Sequence, residues 1–231
     1  MTDRLQIGDL TPFSTVDYPG NLSAVVYTTG CPLRCPYCHN PELLARLPSN
    51  PLTEEAFWTW LASRQGLLDA VVFSGGEPLL QRGLPEALRQ IAFLGFKTGL
   101  HTSGIYPERL QESLPHLTWV GLDFKAPLDR YSALTGVPGS GNRFRLALES
   151  LLVSGRAYEL RTTVHPALLG PADLFWMAAF LRDHGVQRWA LQAFQPQGCL
   201  NTALTGTSQP AWTEWSLEAL RKFVPELVLR R

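Results

Sequence analysis

The sequence predicts one α/β domain, built as an open, partial (β/α)6 barrel with parallel strands. The chain has 231 residues, of which 45% are hydrophobic and 17% charged, and this is enough apolar surface for one sizeable core. Short apolar runs alternate with helical stretches, which is typical of a parallel sheet with helical crossovers. Six such units are too few for a closed eight-unit barrel. We therefore expect an open barrel that spans residues 1–231, with an N-terminal extension at residues 1–20.

The first two units show the pattern most clearly. A strand is predicted at Leu22–Thr28, where β-branched and apolar residues precede a Gly-Cys-Pro loop. Thr53 is a suitable N-cap for a helix over Glu54–Arg64. A buried strand over Leu68–Phe73 then ends in Ser-Gly-Gly, and a helix over Leu84–Leu94 ends at a glycine.

The same alternation continues to the end of the chain. Further strands are predicted at Phe96–His101, Thr118–Phe124, Tyr158–Val164 and Trp189–Phe194. Further helices are predicted at Pro107–Leu114, Arg143–Val153, Ala172–Asp183 and Trp212–Phe223, before a last apolar run at Leu227–Leu229. One irregular stretch, Gln195–Ala211, is unusually long for a compact domain and indicates a functional loop.

The composition argues against several classes of protein. The formal net charge is zero, which gives no reason to expect a surface for nucleic acid or for a membrane. The sequence contains no run of about 18 apolar residues, which a membrane-spanning helix would need. The first ten residues carry charges and lack an apolar signal core. We therefore expect a cytoplasmic protein whose thiols stay reduced.

Three of the four cysteines lie close together in a loop expected at residues 29–41, hereafter the cysteine loop. Cys31, Cys35 and Cys38 form a C-x3-C-x2-C motif directly after the first predicted strand. In a reducing compartment, clustered thiols indicate a metal site rather than a disulfide framework. Three thiolates on one loop match three corners of a [4Fe-4S] cluster, and the fourth iron then stays open for another ligand.

Other interpretations match the same residues less well. Structural zinc on the three cysteines and His39 would require two adjacent residues, Cys38 and His39, to share one tetrahedron. Residues 35–39 also spell C-x-x-C-H, the attachment motif of c-type haem, but that interpretation leaves Cys31 unexplained. Cys199 stands alone in the long loop and is predicted to be an incidental small residue rather than a fourth ligand.

A second motif follows the second predicted strand. Residues Ser74–Pro78 read SGGEP, and Tyr37 places an aromatic residue before the last cysteine of the first motif. The two motifs together resemble the radical S-adenosylmethionine enzymes. The stretch Pro12–Asn40 is similar to the glycyl-radical-enzyme activating proteins, in particular those that activate anaerobic ribonucleotide reductases. This similarity continues through HTSG at 101–104, DFK at 123–125 and RTTVH at 161–165.

The resemblance implies a radical enzyme with one [4Fe-4S] cluster on the cysteine loop. Such an enzyme cleaves S-adenosylmethionine reductively to a 5′-deoxyadenosyl radical, which is expected to take hydrogen from a glycine of an anaerobic ribonucleotide reductase. Flavodoxin or ferredoxin is the expected electron donor. The alternatives are a small-molecule radical enzyme of the carboxy-deazaguanine-forming type and, from another class, a one-cluster electron carrier. The GGEP segment argues against the carrier, because electron transfer needs no glycines that cradle a ligand.

The resemblance also assigns residues to the cofactor site. Cys31, Cys35 and Cys38 are the expected cluster ligands, and the expected cofactor contacts are Tyr37, His39, Gly75, Gly76, Glu77, Thr102, Ser103, Asp123, Lys125 and Gln195. The two glycines let backbone approach a ligand closely, here the methionine end of S-adenosylmethionine. Asp123 and Lys125 alternate to one face of a strand. Lys125 suits a carboxylate there, and a mutual ion pair with Asp123 is the alternative.

Two positions depart from the family pattern. Where His101 stands, some activating enzymes have an acidic residue that helps to hold a monovalent cation. This chain lacks that acidic residue, and a packed or capping histidine is expected. Tyr18 replaces a glycine of a VDGPG-like segment, in which Asp17 is expected to contact the partner. Arg161 and His165, at the end of the fifth predicted strand, are expected to line the cavity.

Overall fold

Eight strands form one sheet in the part of the chain that this computed structural model describes, residues 4–45, 52–206, 212 and 214–230. The strands are β1 (Ile7–Ser14), β2 (Ser23–Thr28), β3 (Ala70–Gly75), β4 (Lys97–Thr102), β5 (Trp119–Asp123), β6 (Ala157–Val164), β7 (Arg188–Ala193) and β8 (Glu226–Arg230). The helices are α1 (Glu54–Ala62), α2 (Leu84–Phe93), α3 (Pro107–Ser113), α4 (Tyr131–Thr135), α5 (Ser140–Ser154), α6 (Pro171–Asp183), α7 (Thr202–Thr205) and α8 (Glu214–Arg221).

The order of strands in the sheet follows the chain, from β1 at one edge to β8 at the other. All neighbours from β2 to β8 are parallel, because every connection between them carries a helix that returns the chain to the same end. β1 runs antiparallel to β2, with Ile7 opposite Thr28. β1 and β8 do not pair with each other in the described residues, so the barrel is open, as predicted.

The six predicted strands correspond to β2–β7, and the last apolar run forms β8. β1 lies in the N-terminal extension and is missing from the sequence prediction. Its sequence, IGDLTPFS, has no clear alternation and contains Pro12, which lacks the amide that an internal ladder needs. The edge of a sheet tolerates a proline. α4 is also missing from the prediction, because five residues are too few to show helical periodicity.

Two helices differ most from their predicted bounds, and the other predicted helices differ by one or two residues at one end. α5 begins at Ser140 rather than Arg143, and α8 lies inside the helix predicted at Trp212–Phe223. α7 interrupts the loop predicted at Gln195–Ala211, of which residues 207–211 lie outside the described residues. Among the described helices, none combines the length and the hydrophobicity needed to cross a bilayer.

Alternate residues of each strand face the helices or the inside of the barrel. In β6, Leu160 and Val164 belong to the main hydrophobic core together with residues of the helices. Arg161 and Thr163 line a cavity on the inner side. The helix-facing side of the sheet therefore holds the apolar core, and polar side chains of β6 point into the open barrel.

The segment after β1 turns into the barrel and covers its floor, at the amino ends of β3–β5. Tyr18 packs with Ala70, Val72 and Trp119, and its ring centroid lies 5.3 Å from that of Trp119. The Tyr18 hydroxyl donates to Thr118 Oγ1 at 3.2 Å. The tyrosine that departs from the family pattern thus closes the lower end of the barrel.

Candidate functional site

A cavity of about 170 Å³ lies at the carboxyl ends of β2–β6. Active sites of α/β barrels lie at this end, because loops there bring together residues from several strands. Most of the expected site residues line the cavity: Cys31, Cys35, Tyr37, Cys38, His39, Gly75, Gly76, Thr102, Ser103, Asp123 and Lys125. Among the described residues expected at the site, Glu77, Gln195, Asp17 and His165 lie outside this lining.

The cysteine loop follows β2 and is held in place by hydrogen bonds at both ends. The Gly30 amide donates to the Leu43 carbonyl at 2.8 Å, and the Arg34 amide donates to the Thr135 carbonyl at 2.7 Å. The Arg34 guanidinium also donates to the Cys31 carbonyl at 2.8 Å. Because the loop is anchored to α4 and to its own far end, its three thiols face one cavity.

The chemistry of the three thiols fits an iron–sulfur cluster. Burial, followed by the charge of Glu77, raises the pKa of Cys31 to about 12, and burial also raises the pKa of Cys35 and of Cys38. Among the described residues, no three His, Cys, Asp or Glu side chains lie close enough together to hold one single metal ion. A coordinating metal deprotonates a thiol outright. Three sulfur donors on one loop match a [4Fe-4S] cluster with one open iron.

Gly75 and Gly76 are required by the close approach of two backbone segments. Gly75 has a φ of +105°, and a Cβ atom there would lie 2.5 Å from the Thr28 amide nitrogen. A Cβ atom on Gly76 would lie 2.9 Å from the Gly30 carbonyl carbon. The two glycines therefore let β3 end directly against the cysteine loop. Contact of their backbone with S-adenosylmethionine stays a prediction.

The Glu77 carboxylate is buried and joins the end of β3 to the end of β4. It accepts hydrogen bonds from the Thr102 hydroxyl at 2.7 Å, from the Ser103 amide at 3.0 Å and from the Ser103 hydroxyl at 2.5 Å. Burial raises the pKa of Glu77, and the hydrogen bonds from Ser103 and Thr102 oppose that rise. The carboxylate thus acts on the site through Thr102 and Ser103, which line the cavity.

Asp123 pairs with two cations. Its carboxylate accepts from the Lys125 ammonium at 3.0 Å and from two nitrogens of Arg161 at 2.8 and 3.1 Å. Burial alone would raise the pKa of Asp123, but Lys125 and Arg161 lower it to about 2. The mutual ion pair of Asp123 and Lys125 is therefore present. The three side chains together keep one surplus positive charge beside the cavity, which suits a carboxylate ligand.

Tyr131 is a site residue that sequence analysis misses. Its hydroxyl donates to the Asp123 carbonyl and accepts from the Lys125 amide, both at 3.0 Å. Its ring is buried and stacks with the rings of Phe124 and Phe144. The phenol therefore fixes the backbone of the two residues whose charges face the cavity. No local motif marks this tyrosine, because the turn between β5 and α4 alone brings it back to the strand end.

The loop after β7 contacts the cysteine loop through His39 and holds it in place. His39 Nε2 donates to the Gln195 carbonyl at 2.8 Å, and its ring stacks on Phe194 at 5.5 Å. A Cβ atom on Gly198 would clash with the His39 carbonyl oxygen. The Gln195 side chain is exposed, and its carbonyl orients the His39 ring. Contact of the Gln195 side chain with the cofactor stays a prediction.

Cys199 lies against the cysteine loop. Its Sγ is 3.6 Å from the Pro36 carbonyl, and it packs with Tyr37 and Cys35 in a small hydrophobic cluster. Cys199 is outside the lining of the cavity. Cys199 therefore lies where a packing residue is expected. That Cys199 does not bind the cluster stays a prediction.

His101 is a buried, hydrogen-bonded histidine at the inner wall of the cavity. Its Nε2 donates to the Asp17 carbonyl at 2.9 Å, and its ring meets Trp119 edge-on at 5.4 Å. Burial and then the charge of Arg161 hold its pKa well below the ordinary value. His101 is therefore neutral at pH 7, as a packed histidine is expected to be.

Asp17 and His165 occupy positions different from those expected. The Asp17 carboxylate accepts from the Ser14 hydroxyl at 2.5 Å, so Asp17 belongs to the barrel floor, and its contact with a partner stays a prediction. His165 is buried and donates to the Leu204 carbonyl at 3.0 Å. Its ring thus supports α7 rather than lining the cavity.

Known proteins resemble this chain in sequence and in fold. A protein of Methanocaldococcus jannaschii, named as a candidate glycyl-radical enzyme activating enzyme, is 27% identical over 235 residues, 97% of this chain and 95% of that protein. Pyruvate formate-lyase-activating enzyme of Clostridium pasteurianum is 35% identical over 156 residues, 63% of this chain and 64% of that enzyme. Streptococcus suis SuiB bound to precursor peptide SuiA superposes with a TM-score of 0.67 and 16% identity over 90% of this chain. This chain spans about half, 48%, of that solved structure, and the likeness concerns the fold alone.

A family comparison covers the part of the chain that contains the site. Residues 25–170, more than half of the chain, match the sequence profile of the Radical SAM superfamily. This range includes the cysteine loop, the two glycines at the end of β3 and the pair Asp123 and Lys125. The family uses a cysteine-bound [4Fe-4S] cluster and S-adenosylmethionine, which are the groups that the cavity fits. The chain belongs to the radical S-adenosylmethionine superfamily.

Proposed function

We propose that this protein is a glycyl-radical-enzyme activating enzyme and that its partner is an anaerobic ribonucleotide reductase. The observation that carries the proposal is a single cavity that brings together the thiols of the cysteine loop, the ends of β3 and β4, and the pair Asp123 and Lys125. Similarity over nearly the whole chain to the Methanocaldococcus jannaschii protein named for this activity supports it. The resemblance of Pro12–Asn40 to activators of anaerobic reductases favours this partner.

Each group of residues has a definite task in this proposal. The three cysteines hold the cluster, and Lys125 receives the carboxylate of S-adenosylmethionine while Arg161 balances Asp123. A cluster and S-adenosylmethionine bound by these residues would supply reductive radical chemistry, with flavodoxin or ferredoxin as the electron donor, methionine as the released product and the glycine of the reductase as the hydrogen donor. The chain itself contributes binding, orientation and exclusion of water rather than acid–base catalysis.

The direct test is formation of a glycyl radical on the reductase. Reduced, anaerobic protein is mixed with S-adenosylmethionine and the candidate reductase, and electron paramagnetic resonance follows the radical. We expect a glycyl radical together with 5′-deoxyadenosine, and no radical on a reductase whose target glycine is replaced by alanine. Cleavage of S-adenosylmethionine without any radical on the wild-type reductase would contradict the proposal.

The same mixture separates the alternatives. If a small heterocycle gains or loses hydrogen in place of the reductase, the protein is a small-molecule radical enzyme and the activating role is wrong. If reduced protein passes electrons on without cleaving S-adenosylmethionine, it is an electron carrier.

Replacing Lys125 with alanine is expected to weaken S-adenosylmethionine binding. A charge-assisted hydrogen bond contributes about 1.5–3 kcal/mol, so we expect an affinity loss of about ten- to hundredfold. The measurement is a titration that follows the spin-resonance spectrum of the reduced cluster. Lys97→Ala is the matched control, because Lys97 is exposed and its ammonium donates to the Asn21 side chain at 2.6 Å, away from the cavity. Unchanged affinity in Lys125→Ala would show that this ammonium serves Asp123 alone.

Replacing Tyr131 with phenylalanine is expected to loosen the end of β5, where Tyr131 holds the backbone of Asp123 and Lys125. Two hydrogen bonds of about 1 kcal/mol each are lost. Because they hold the strand end and not the ligand, only part of this free energy is expected to affect binding, as about a five- to tenfold weaker affinity for S-adenosylmethionine at full cluster content. Tyr158→Phe is the control, because the Tyr158 hydroxyl accepts from the Gln187 amide at 3.3 Å on another part of the sheet. A parallel loss of cluster content would assign Tyr131 to general stability instead.

A further inference from the structure

Three charged side chains on the inner faces of β6, β7 and β8 form a second ionic cluster, hereafter the rim cluster: Glu159, Arg188 and Arg230. Glu159 Oε2 accepts from Arg188 Nε at 3.0 Å, and Arg230 Nη2 lies 2.6 Å from Glu159 Oε1. β8 is the last strand of the sheet, so the rim cluster lies at the open edge of the barrel. It is separate from the residues that line the cavity.

The three side chains of the rim cluster differ in exposure. The Glu159 side chain is fully buried, whereas Arg188 and Arg230 keep 38% and 28% of their side-chain surface in contact with water. Barrel interiors are ordinarily filled with branched apolar side chains, and a buried ion pair stabilises a fold little more than apolar residues would. Stability alone therefore explains this carboxylate poorly. Its effect is to hold two guanidinium groups at the open edge.

The contact of Arg230 with Glu159 is incomplete as a hydrogen bond. Glu159 Oε1 is buried and has no hydrogen-bond partner of suitable geometry among the described residues, although Arg230 lies close enough for an ion pair. A guanidinium has five N–H donors in a planar fork. Arg230 therefore keeps donors for a further acceptor, and a carboxylate fits such a fork best.

Positive charge is in excess on the inner faces of β5–β8 and the turn after β5. The cations are Lys125, Arg161, Arg188 and Arg230, and the carboxylates paired with them inside the barrel are Asp123 and Glu159. Glu226 lies 3.8 Å from Arg188, but its side chain is 61% exposed, so water screens that pair. Asp17, on the barrel floor, is also partly exposed. The open edge thus favours an anionic occupant.

We propose that the rim cluster docks an acidic side chain of the partner segment that carries the target glycine, with Arg230 as the main contact. This inference rests on the proposed function, because it requires a polypeptide substrate. The segment enters between β8 and β1, where the sheet is open, and runs from the rim cluster toward the cavity. Complementary charge fixes the position of a bound segment and speeds association. An acidic residue at a fixed distance from the glycine along the partner segment would therefore place the glycine at the cavity.

Two substitutions are expected to shift the reductase concentration that gives half-maximal glycyl-radical formation in opposite directions. Arg230→Gln removes the main contact and is expected to raise this concentration about tenfold, since a charge-assisted contact is lost. Glu159 keeps Arg188 as its partner in this variant, so the fold is preserved. Glu159→Gln releases both arginines and is expected to lower the same concentration severalfold.

A matched ion pair elsewhere provides the control. Arg89 and Glu86 pair on the exposed surface of α2, and Arg89→Gln and Glu86→Gln are expected to leave the half-saturating concentration unchanged. A purely structural rim cluster would behave differently: Arg230→Gln and Glu159→Gln would both lower the unfolding temperature and both raise the half-saturating concentration. That result would overturn the proposal.

A binding experiment that needs no radical separates this inference from the proposed function. The probes are the acetylated and amidated peptide Gly-Glu-Gly-Glu-Gly and its glutamine isostere, measured by calorimetry on protein that holds its cluster. We expect wild-type protein to bind the acidic peptide more tightly than the isostere, and Arg230→Gln to show no preference. If wild-type protein prefers the acidic peptide but forms no glycyl radical on the reductase, the proposed partner is wrong and the acidic docking site is still supported.

Two results of the peptide experiment would overturn the docking site itself. Equal binding of the two peptides to wild-type protein would show that the rim cluster does not recognise an acidic side chain. Binding of succinate as tightly as the acidic peptide would make the rim cluster a small-carboxylate site instead of a site for a polypeptide.

Discussion

Alanine at Cys31, Cys35 or Cys38 is expected to abolish the iron–sulfur cluster, whereas alanine at Cys199 is expected to leave it in place. Each of the first three thiols lines the cavity, and a cluster with three protein ligands cannot lose one without exposing a second iron. Anaerobically reconstituted wild-type protein is expected to hold about four irons and four sulfides per chain. Iron and acid-labile sulfide analysis, together with visible absorbance, measures the effect.

Cys199→Ala is the internal control for this series, because Cys199 packs beside the same loop without lining the cavity. Loss of the cluster in Cys199→Ala would show that Cys199 is a fourth protein ligand. The cluster would then have no open iron, on which the proposed chemistry depends. One equivalent of zinc with no labile sulfide in wild-type protein would favour the structural zinc site and contradict the cluster.

Alanine at Gly76 is expected to separate β3 from the cysteine loop. The added Cβ atom would lie 2.9 Å from the Gly30 carbonyl carbon and 3.0 Å from the Leu43 carbonyl oxygen, and backbone atoms cannot move aside as a flexible side chain can. Overpacking of this kind costs about 1–3 kcal/mol. We therefore expect a lower unfolding temperature, poor cluster incorporation and no measurable binding of S-adenosylmethionine.

Gly206→Ala is the control for Gly76→Ala, because a Cβ atom on Gly206 meets nothing within 4 Å among the described residues. Thermal unfolding and cluster content are measured on both variants. Normal cluster content and normal unfolding in Gly76→Ala would show that the two backbones separate easily, and the glycine would then serve the ligand alone.

Much of the fold can be predicted from short windows of sequence. The apolar runs that became β2–β7 are each a few residues long, and the helices between them show their own periodicity, so parallel pairing follows from alternation alone. The cysteine motif is equally local, because its three ligands share one loop. β1 is different: its place in the sheet depends on pairing with β2, and nothing within its eight residues indicates that pairing.

The roles of individual site residues required the tertiary structure. The carbonyl of Gln195 accepts a hydrogen bond from His39, while the side chain of Gln195 is exposed, and no local sequence pattern indicates this backbone contact. Glu77 belongs to a motif that predicts a ligand contact, and the tertiary structure adds that its carboxylate accepts hydrogen bonds from Thr102 and Ser103.

The sequence by itself determined the family, the cysteine motif that fits the cluster of that family, and the alternation of strands and helices, because each depends on residues close together in the chain. Tertiary structure alone decided that Tyr131 would brace Asp123 and Lys125 and that Arg230 would reach Glu159. The physical reason is that these contacts depend on strand order, register and the direction in which a side chain leaves its strand. A shift of one residue in register would turn Glu159 from the inside of the barrel to the helices.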